Sequence, residues 1–133
     1  MDDETVFRIG DNTYVAPALT LYALEAAWPD ITSLGQATSM MEQSKKMLRI
    51  AVCALELNSP QPDFIQHASM ESEPAPVTKN DLRDACVEYL SKKLRINQFK
   101  MLDDAIAALL KASGLGADPG DPASGEAMPT GGQ

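Results

Sequence analysis

The sequence predicts a mainly α-helical protein with a short N-terminal β-hairpin, that is, an α+β fold. Of its 133 residues, 44% are hydrophobic but only 5% are aromatic, so the core would consist mainly of aliphatic and methionine side chains. Apolar side chains recur every three or four residues over much of the chain, which is the periodicity of amphipathic helices. Only the first stretch groups β-branched and aromatic residues around turn residues. We therefore expect one hairpin and a bundle of about four helices.

The predicted hairpin lies at the start of the chain, around the turn residues Gly10-Asp11-Asn12. The β-branched and aromatic residues that would form its strands are Val6, Phe7, Ile9, Thr13, Tyr14 and Val15. With Asp11 and Asn12 as a two-residue loop, Ile9 would face Tyr14 and large side chains would share one face of the hairpin.

A short helix is predicted after Pro17, in a segment rich in leucine. The hydroxyl of Thr20 suits the N-cap position, and Pro29 should end the helix because proline lacks the backbone N–H that a helix interior needs. An isolated hairpin is marginally stable in water. We therefore expect this helix to cover the apolar face of the hairpin.

The next predicted helix runs from Met40 to Leu57, and Ser39-x-x-Glu42 has the form of a capping box at its start. Its repeating stripe consists of Met40, Ser44, Met47, Leu48, Ala51, Val52 and Leu55. The methionines have two interpretations, flexible core packing, which we favour, or an adaptable surface for an apolar partner.

Residues 58–77 are predicted to form a semi-flexible linker, because they contain several prolines and few large apolar residues. A helical turn around Asp63 to Ser69 would dock Phe64 and Ile65 on the core. The only histidine of the chain, His67, should be exposed in this segment.

Residues 78–115 predict a helical hairpin, with Thr78-x-x-Asp81 capping its first helix and Gly114 and Gly116 ending its second. The two apolar stripes consist of Leu82, Ala85, Cys86, Tyr89, Leu90 and Leu94, and of Phe99, Leu102, Ile106, Leu109 and Leu110. Each stripe needs the other helix, or a third surface, as its cover.

The predicted organisation therefore has four regions. Residues 1–57 form the N-terminal hairpin and helices, 58–77 the Pro-rich linker and 78–115 the helical hairpin. Residues 116–133 contain almost no large apolar side chains and are dense in glycine and proline, so we expect a disordered tail.

Charge restricts the classes of partner. The formal net charge of −8 disfavours binding to nucleic acid or to anionic lipid. The window from Lys79 to Lys100 is locally positive, which raises the alternative of a DNA-binding helix-turn-helix. Its joining segment lacks a turn glycine, so a solvated helix face is the better interpretation. The acidic N-terminus and the lack of a long apolar run predict a cytoplasmic protein without a signal peptide or membrane span.

No residue constellation indicates catalysis. The sequence lacks a P-loop, a Gly-rich dinucleotide turn and a nucleophile with an identifiable base, so we expect no enzyme and no cofactor. Cys53 and Cys86 have no further cysteine or nearby histidine with which to hold a metal, and we interpret them as buried apolar residues. Asp103 and Asp104 diverge on a helix and are interpreted as a solvated face.

The N-terminal elements carry a resemblance to a known family. A short hairpin ending in Tyr14-x-x-Pro17, a Leu-rich helix and then Trp28-Pro29-Asp30-Ile31 resemble the N-terminal region of tail assembly chaperones of long-tailed bacteriophages. The resemblance covers about Val6 to Leu57. It implies a phage or prophage protein that binds the helical tape-measure protein before assembly, keeps it soluble and helps to recruit tail-tube subunits.

Partner contacts are expected on the hairpin and the helices that follow it. The candidate partner-binding residues are Tyr14, Leu21, Leu24, Trp28, Met40 and Met47. Core packing is the competing interpretation for each of them. Two other functions stay open, a permanent virion component such as a head-tail adaptor or tail accessory protein, and a small acidic regulator that masks a host protein surface. Homo-oligomerisation is also left open.

Overall fold

The structure is a computed structural model, and it describes residues 4–58 and 61–115. This part of the chain contains a two-stranded antiparallel hairpin and five α-helices, which confirms the predicted α+β class. The elements are β1 (Thr5–Ile9), β2 (Asn12–Ala16), α1 (Leu21–Ser33), α2 (Met40–Leu55), α3 (Asp63–Glu71), α4 (Lys79–Ser91) and α5 (Phe99–Ala112). Single 3₁₀ turns at Leu34–Gln36 and Ile96–Gln98 precede α2 and α5. The predicted disordered tail, residues 116–133, lies outside the described residues.

The hairpin forms where the sequence predicts it, but its register differs. Ile9 pairs with Asn12 and Phe7 with Tyr14, so the loop is Gly10-Asp11 and not Asp11-Asn12. Gly10 has a φ of +63°, a conformation that glycine adopts without the steric cost other residues incur. Because the register shift is an even number of residues, each side chain still points to the predicted face.

Helix α1 begins as predicted, since the backbone N–H of Ala23 donates to Thr20 Oγ1 at 3.1 Å. The prediction that Pro29 ends this helix is wrong, because α1 continues to Ser33 with Pro29 inside it. The last turn is held against the rest of the fold by tertiary contacts. Asp30 Oδ2 lies 3.1 Å from Arg49 Nε of α2, and Ile31 packs on the core.

The apolar face of the hairpin is covered by α5 and α2, not by α1 as predicted. Phe7 and Ile9 are fully buried there, together with Ala16. Helix α1 packs on α2 instead. Its inward-facing residues Ala23 and Ala27 are small, so α1 approaches α2 closely but adds little apolar volume to the core.

Helix α2 is the central element, in contact with α1, α4, α5 and β2. In its C-terminal half almost every residue is buried, whichever way it faces, which is typical of a helix surrounded by other elements. The buried residues are Met47, Leu48, Ile50, Ala51, Val52, Cys53, Ala54 and Leu55. Ser39 caps the helix, with its Oγ accepting from the backbone N–H of Glu42 at 3.1 Å.

The segment predicted as a linker contains a nine-residue helix, α3, which is longer than the expected turn. Phe64 and Ile65 are buried as predicted, and α3 packs on α4. His67 is exposed, with its ring stacked near that of Tyr89 at a centroid distance of 6.2 Å.

Helices α4 and α5 lie where predicted but do not pack as the expected helical hairpin. Helix α4 contacts α2 and α3, whereas α5 contacts β1 and α2. Each stripe is covered by a third surface, which the sequence left open: α2 and α3 cover α4, whereas β1 and α2 cover α5. Thr78 and Asp81 form a reciprocal capping box at the start of α4. One core contains residues of α2, α3, α4, α5 and the hairpin, while the division of the chain into separate units stays a prediction.

The side chain of Gln98 connects the hairpin turn near the N-terminus to the segment just before α5. The backbone N–H of Gly10 donates to Gln98 Oε1 at 2.9 Å, and Gln98 Nε2 donates to the carbonyl of Gly10 at 2.9 Å. The same Oε1 accepts from the backbone N–H of Arg95 at 3.0 Å. A buried side-chain amide thus pairs with the hairpin turn as another strand would, and it directs α5 onto the hairpin.

A partly buried ion pair connects the C-cap residue of α2 to α4. The guanidinium of Arg83 donates two hydrogen bonds to the Glu56 carboxylate, from Nε at 2.9 Å and from Nη2 at 2.7 Å. The bidentate geometry and the charge of Glu56 raise the pKa of Arg83. Both charged groups therefore have the partner that burial requires.

Candidate protein-binding surfaces

The six candidate partner residues occupy three kinds of position. Met47 is fully buried in α2 and presents no surface to a partner. Tyr14 is half-buried and packs edge-to-face on Phe64, with ring centroids 5.2 Å apart. Of the remaining four residues, Leu21 and Trp28 on α1 and Met40 at the start of α2 are exposed, while Leu24 on α1 is half-buried. Core packing is therefore the better interpretation for Met47, and it also explains the buried part of the Tyr14 side chain.

The first apolar surface, which we call the α1 face, consists of Leu21, Leu24 and Trp28. Leu21 is 81% exposed and Trp28 is 48% exposed, while Leu24 is half-buried. Their spacing of three and four residues places them in one row along the helix. Helix α1 thus buries alanines and leaves its largest apolar side chains in solvent, which is the reverse of what core packing favours.

Charged contacts hold α1 in place without covering the α1 face. The Arg49 guanidinium bonds to Asp30 on α1 and to Asn80 and Asp84 on α4. Burial raises the pKa of the Asp30 carboxyl, and the charge of Arg49 opposes that effect. Glu25 lies exposed beside the α1 face, and α1 itself contains no lysine or arginine; the ammonium of Lys79, from α4, bonds to Tyr22 on the neighbouring row of the helix.

The second apolar surface is a groove between the start of α2 and the connection from α4 to α5. We call it the methionine groove and define it by Met40, Met41, Leu94, Ile96 and Phe99. Its volume is about 420 Å³, and the fully buried Leu48 lies at its base. The sequence signal for this groove is the pair of methionines directly after the Ser39 cap, because residues in the first turn of a helix extend past the core that the later turns contact.

The titratable side chains in the core are unreactive. Burial raises the pKa of the Cys53 thiol to about 11 and that of the Cys86 thiol to about 12. Both thiols therefore stay protonated near neutral pH and behave as small apolar groups. Within residues 4–58 and 61–115, no cluster of three or more His, Cys, Asp or Glu side chains has the arrangement of a metal site. None of the helices in these ranges combines the length and apolarity needed to cross a bilayer.

Comparisons with known proteins find no match: neither a family model, nor a curated protein, nor a solved structure is similar to this chain.

Proposed function

We propose that this chain is a non-catalytic tail assembly chaperone of a phage or prophage, which binds the tape-measure protein in the host cytoplasm and assists assembly of the tail tube. The observation that carries the proposal is the α1 face, where the exposed Leu21 and Trp28 and the half-buried Leu24 form one apolar row. The tape-measure protein is proposed as the partner because the hairpin and Trp28-Pro29-Asp30-Ile31 resemble the N-terminal region of that family.

The α1 face suits a helical partner. Apolar anchors at helical spacing are the elements with which one amphipathic helix packs along another. A tape-measure protein that is long and helical would expose such stripes until it assembles, and covering them would keep it in solution. The row contains only three residues, one of them half-buried, so affinity should be modest, which suits a protein that must leave.

The acidic charge of the chain supports the same role. A net charge of −8 keeps a protein that exposes leucine and tryptophan in solution, because copies repel one another. It also disfavours binding to the viral DNA.

Co-expression with the tape-measure protein encoded nearby tests this function. We expect the wild-type chain to copurify with the tape-measure protein and to raise its soluble fraction. Leu21→Asp should abolish both effects, because a charge would have to be buried in the contact. The matched control is Met70→Asp, which puts the same charge at an exposed apolar position of α3, and it should leave copurification unchanged.

Three outcomes would contradict the proposal: no copurification of the wild-type chain, equal copurification of the Leu21→Asp variant, or stoichiometric amounts of the chain in purified particles. The last would identify a permanent virion component, because a chaperone leaves before the particle is complete.

A further inference from the structure

We propose that the chain forms a weak two-fold dimer in which the outer edge of β1 pairs with the same edge of a second copy. The two β1 strands run antiparallel, so that two hairpins join into one four-stranded sheet. This inference goes beyond the proposed function, because it concerns a contact of the chain with itself and holds whether or not the chain binds a tape-measure protein.

The backbone along the outer edge of β1 is open to another strand. In an antiparallel hairpin alternate residues exchange hydrogen bonds with the opposite strand, and the closing pair Ile9 and Asn12 sets this alternation. The N–H and C=O groups of Val6 and Arg8 therefore point away from β2. Within residues 4–58 and 61–115, no hydrogen bond joins these backbone groups to another element. Such an edge is a template for strand pairing.

The neighbouring parts of the hairpin edges are already occupied. At the turn, the backbone N–H and C=O of Gly10 also point outward, and the Gln98 amide satisfies both of them at 2.9 Å. On β2, the outward carbonyl of Val15 accepts from Asn58 Nδ2 at 2.8 Å. The stretch of the described edges that remains open to another strand is therefore Glu4 to Arg8.

The charges on this edge select a second copy as the partner. Glu4 and Arg8 flank Val6 at equal distances in sequence, and all three residues are exposed on one face of the hairpin. With Val6 of each copy at the two-fold axis, Glu4 of one copy lies opposite Arg8 of the other, and symmetry repeats the pair. Opposite charges at directly facing positions stabilise an antiparallel pair. Among the described residues, Arg8 forms no ion pair that this contact would have to break.

The same register satisfies the backbone. Glu4, Val6 and Arg8 alternate along the edge that points outward, so each facing pair in the dimer exchanges two N–H···O hydrogen bonds. A shift by two residues in either direction places Val6 opposite one of the charged residues and separates Glu4 from Arg8. A shift by one residue sets outward groups against groups that already bond to β2. Backbone and charge therefore favour one and the same register.

Apolar contacts along the exposed face add to this pairing. Val6 is 53% exposed, and Val15, its partner on β2, is 42% exposed. In the dimer the valines of both copies form one row across four strands, so part of this apolar area leaves solvent. The contact is small, and the net charge of −8 opposes the approach of two copies. We therefore expect a dissociation constant in the range of about 10 to 300 µM.

The test uses the full-length chain and two charge-reversal variants. Sedimentation equilibrium of the wild type between about 10 µM and 1 mM measures the dimer. Glu4→Arg alone and Arg8→Glu alone each set like charges opposite one another at both symmetric positions. Each variant should therefore bind itself at least about tenfold more weakly than the wild type does. An equimolar mixture of the two variants restores opposite charges, and it should form heterodimers with about the affinity of the wild type.

Further variants and hydrogen exchange locate the contact. The double variant Glu4→Arg/Arg8→Glu exchanges the two charges and should dimerise as the wild type does. Glu71→Arg, a charge reversal at an exposed position of α3, is the control that leaves dimerisation unchanged. The amide N–H groups of Val6 and Arg8 should exchange at least about threefold more slowly at about 1 mM than at about 10 µM. The N–H of Val15, on the other edge, should exchange at the same rate at both concentrations.

Four results would overturn the inference: a wild type that is monomeric at about 1 mM, single variants that self-associate as the wild type does, no gain on mixing them, or a dimer that Leu21→Asp abolishes and Glu4→Arg does not. The last result would place the dimer contact on the α1 face. If a charge reversal alters the far-UV CD spectrum, Glu4→Gln and Arg8→Gln replace it, and each should weaken dimerisation at least about threefold. Loss of tape-measure binding leaves these results unaffected, because dimerisation is measured on the chain alone.

Discussion

Gln98 has more influence on the fold than its residue type suggests. Its amide makes two hydrogen bonds to Gly10 and one to Arg95, all of them 3.0 Å or shorter. No sequence pattern distinguishes this glutamine from the other glutamines of the chain, because its partners lie far away in sequence. It was therefore not predicted, whereas local features such as the Thr20 and Thr78 caps were.

Gln98→Ala should destabilise the protein by about 2 kcal/mol, because it leaves the buried N–H and C=O of Gly10 without partners. The free energy of unfolding can be measured by urea titration followed by CD. Gln66→Ala, at an exposed position of α3, is the control and should change stability by less than about 0.5 kcal/mol. Equal stability of the two variants would mean that water or a shifted turn replaces the amide.

The buried thiols predict how stability depends on pH. The folded-state pKa of Cys53 is raised to about 11, above the value of an exposed thiol, so the folded protein holds this proton more tightly than the unfolded chain. The resulting stabilisation is complete below about pH 9 and is lost as the pH rises toward about 11. We expect the urea midpoint to fall across this window and to fall less steeply in the variant Cys53→Ala/Cys86→Ala. Identical slopes for the variant and the wild type would contradict the burial of these thiols.

At the scale of elements, sequence reasoning succeeded where the signal is local. The caps of α1, α2 and α4 lie where the residues Thr20, Ser39 and Thr78 indicated, since capping needs only a side chain and the next turn of backbone. The predicted end of α1 at Pro29 was wrong, because the helix continues to Ser33. There tertiary contacts with α2 exceed the local penalty of the proline, and no local pattern reports them.

Gly10 in the hairpin loop and Gly35 in the turn between α1 and α2 give a matched pair of substitutions. Gly10 has a φ of +63°, and an added Cβ would lie 3.0 Å from the carbonyl oxygen of Lys93. Gly10→Ala should therefore lower the free energy of unfolding by about 1–3 kcal/mol. Gly35 has no atom within 4 Å of the position of an added Cβ, and Gly35→Ala should be neutral or stabilising by about 0.5 kcal/mol. Thermal unfolding of both variants measures the difference, and a destabilisation of Gly35→Ala as large as that of Gly10→Ala would contradict it.

For the molecule as a whole, the composition predicted the fold class but not the arrangement of its helices. Each stripe, for example Leu82 to Leu90 on α4, shows which side of a helix is buried and does not show against which element. The choice of α2 as common partner depends on residues 50–55 being apolar on every side of the helix, with Ile50, Cys53 and Ala54 outside the predicted stripe. The residues of the α1 face could be named as candidates from the sequence. The place of Ile96 in the methionine groove could not, because it depends on how the connection between α4 and α5 folds.

Because α2 contacts elements from both ends of the chain, unfolding should be cooperative. Trp28 is the only tryptophan, and its fluorescence reports on α1, while far-UV CD reports on all helices. We expect the two urea transitions to coincide. A fragment of residues 78–115 alone should show little helical CD signal, since α2, which covers both of its stripes, is absent. Separate transitions, or a folded fragment, would favour independent units instead.

The placement of the methionines has a chemical consequence. A mild oxidant such as peroxide reaches exposed thioethers first, so Met40 and Met41 should be converted to sulfoxides well before Met47, which has no solvent-accessible surface. Each added oxygen would make the apolar groove polar while the interior stays intact. The redox history of a preparation could therefore alter what this surface binds without altering how the protein melts.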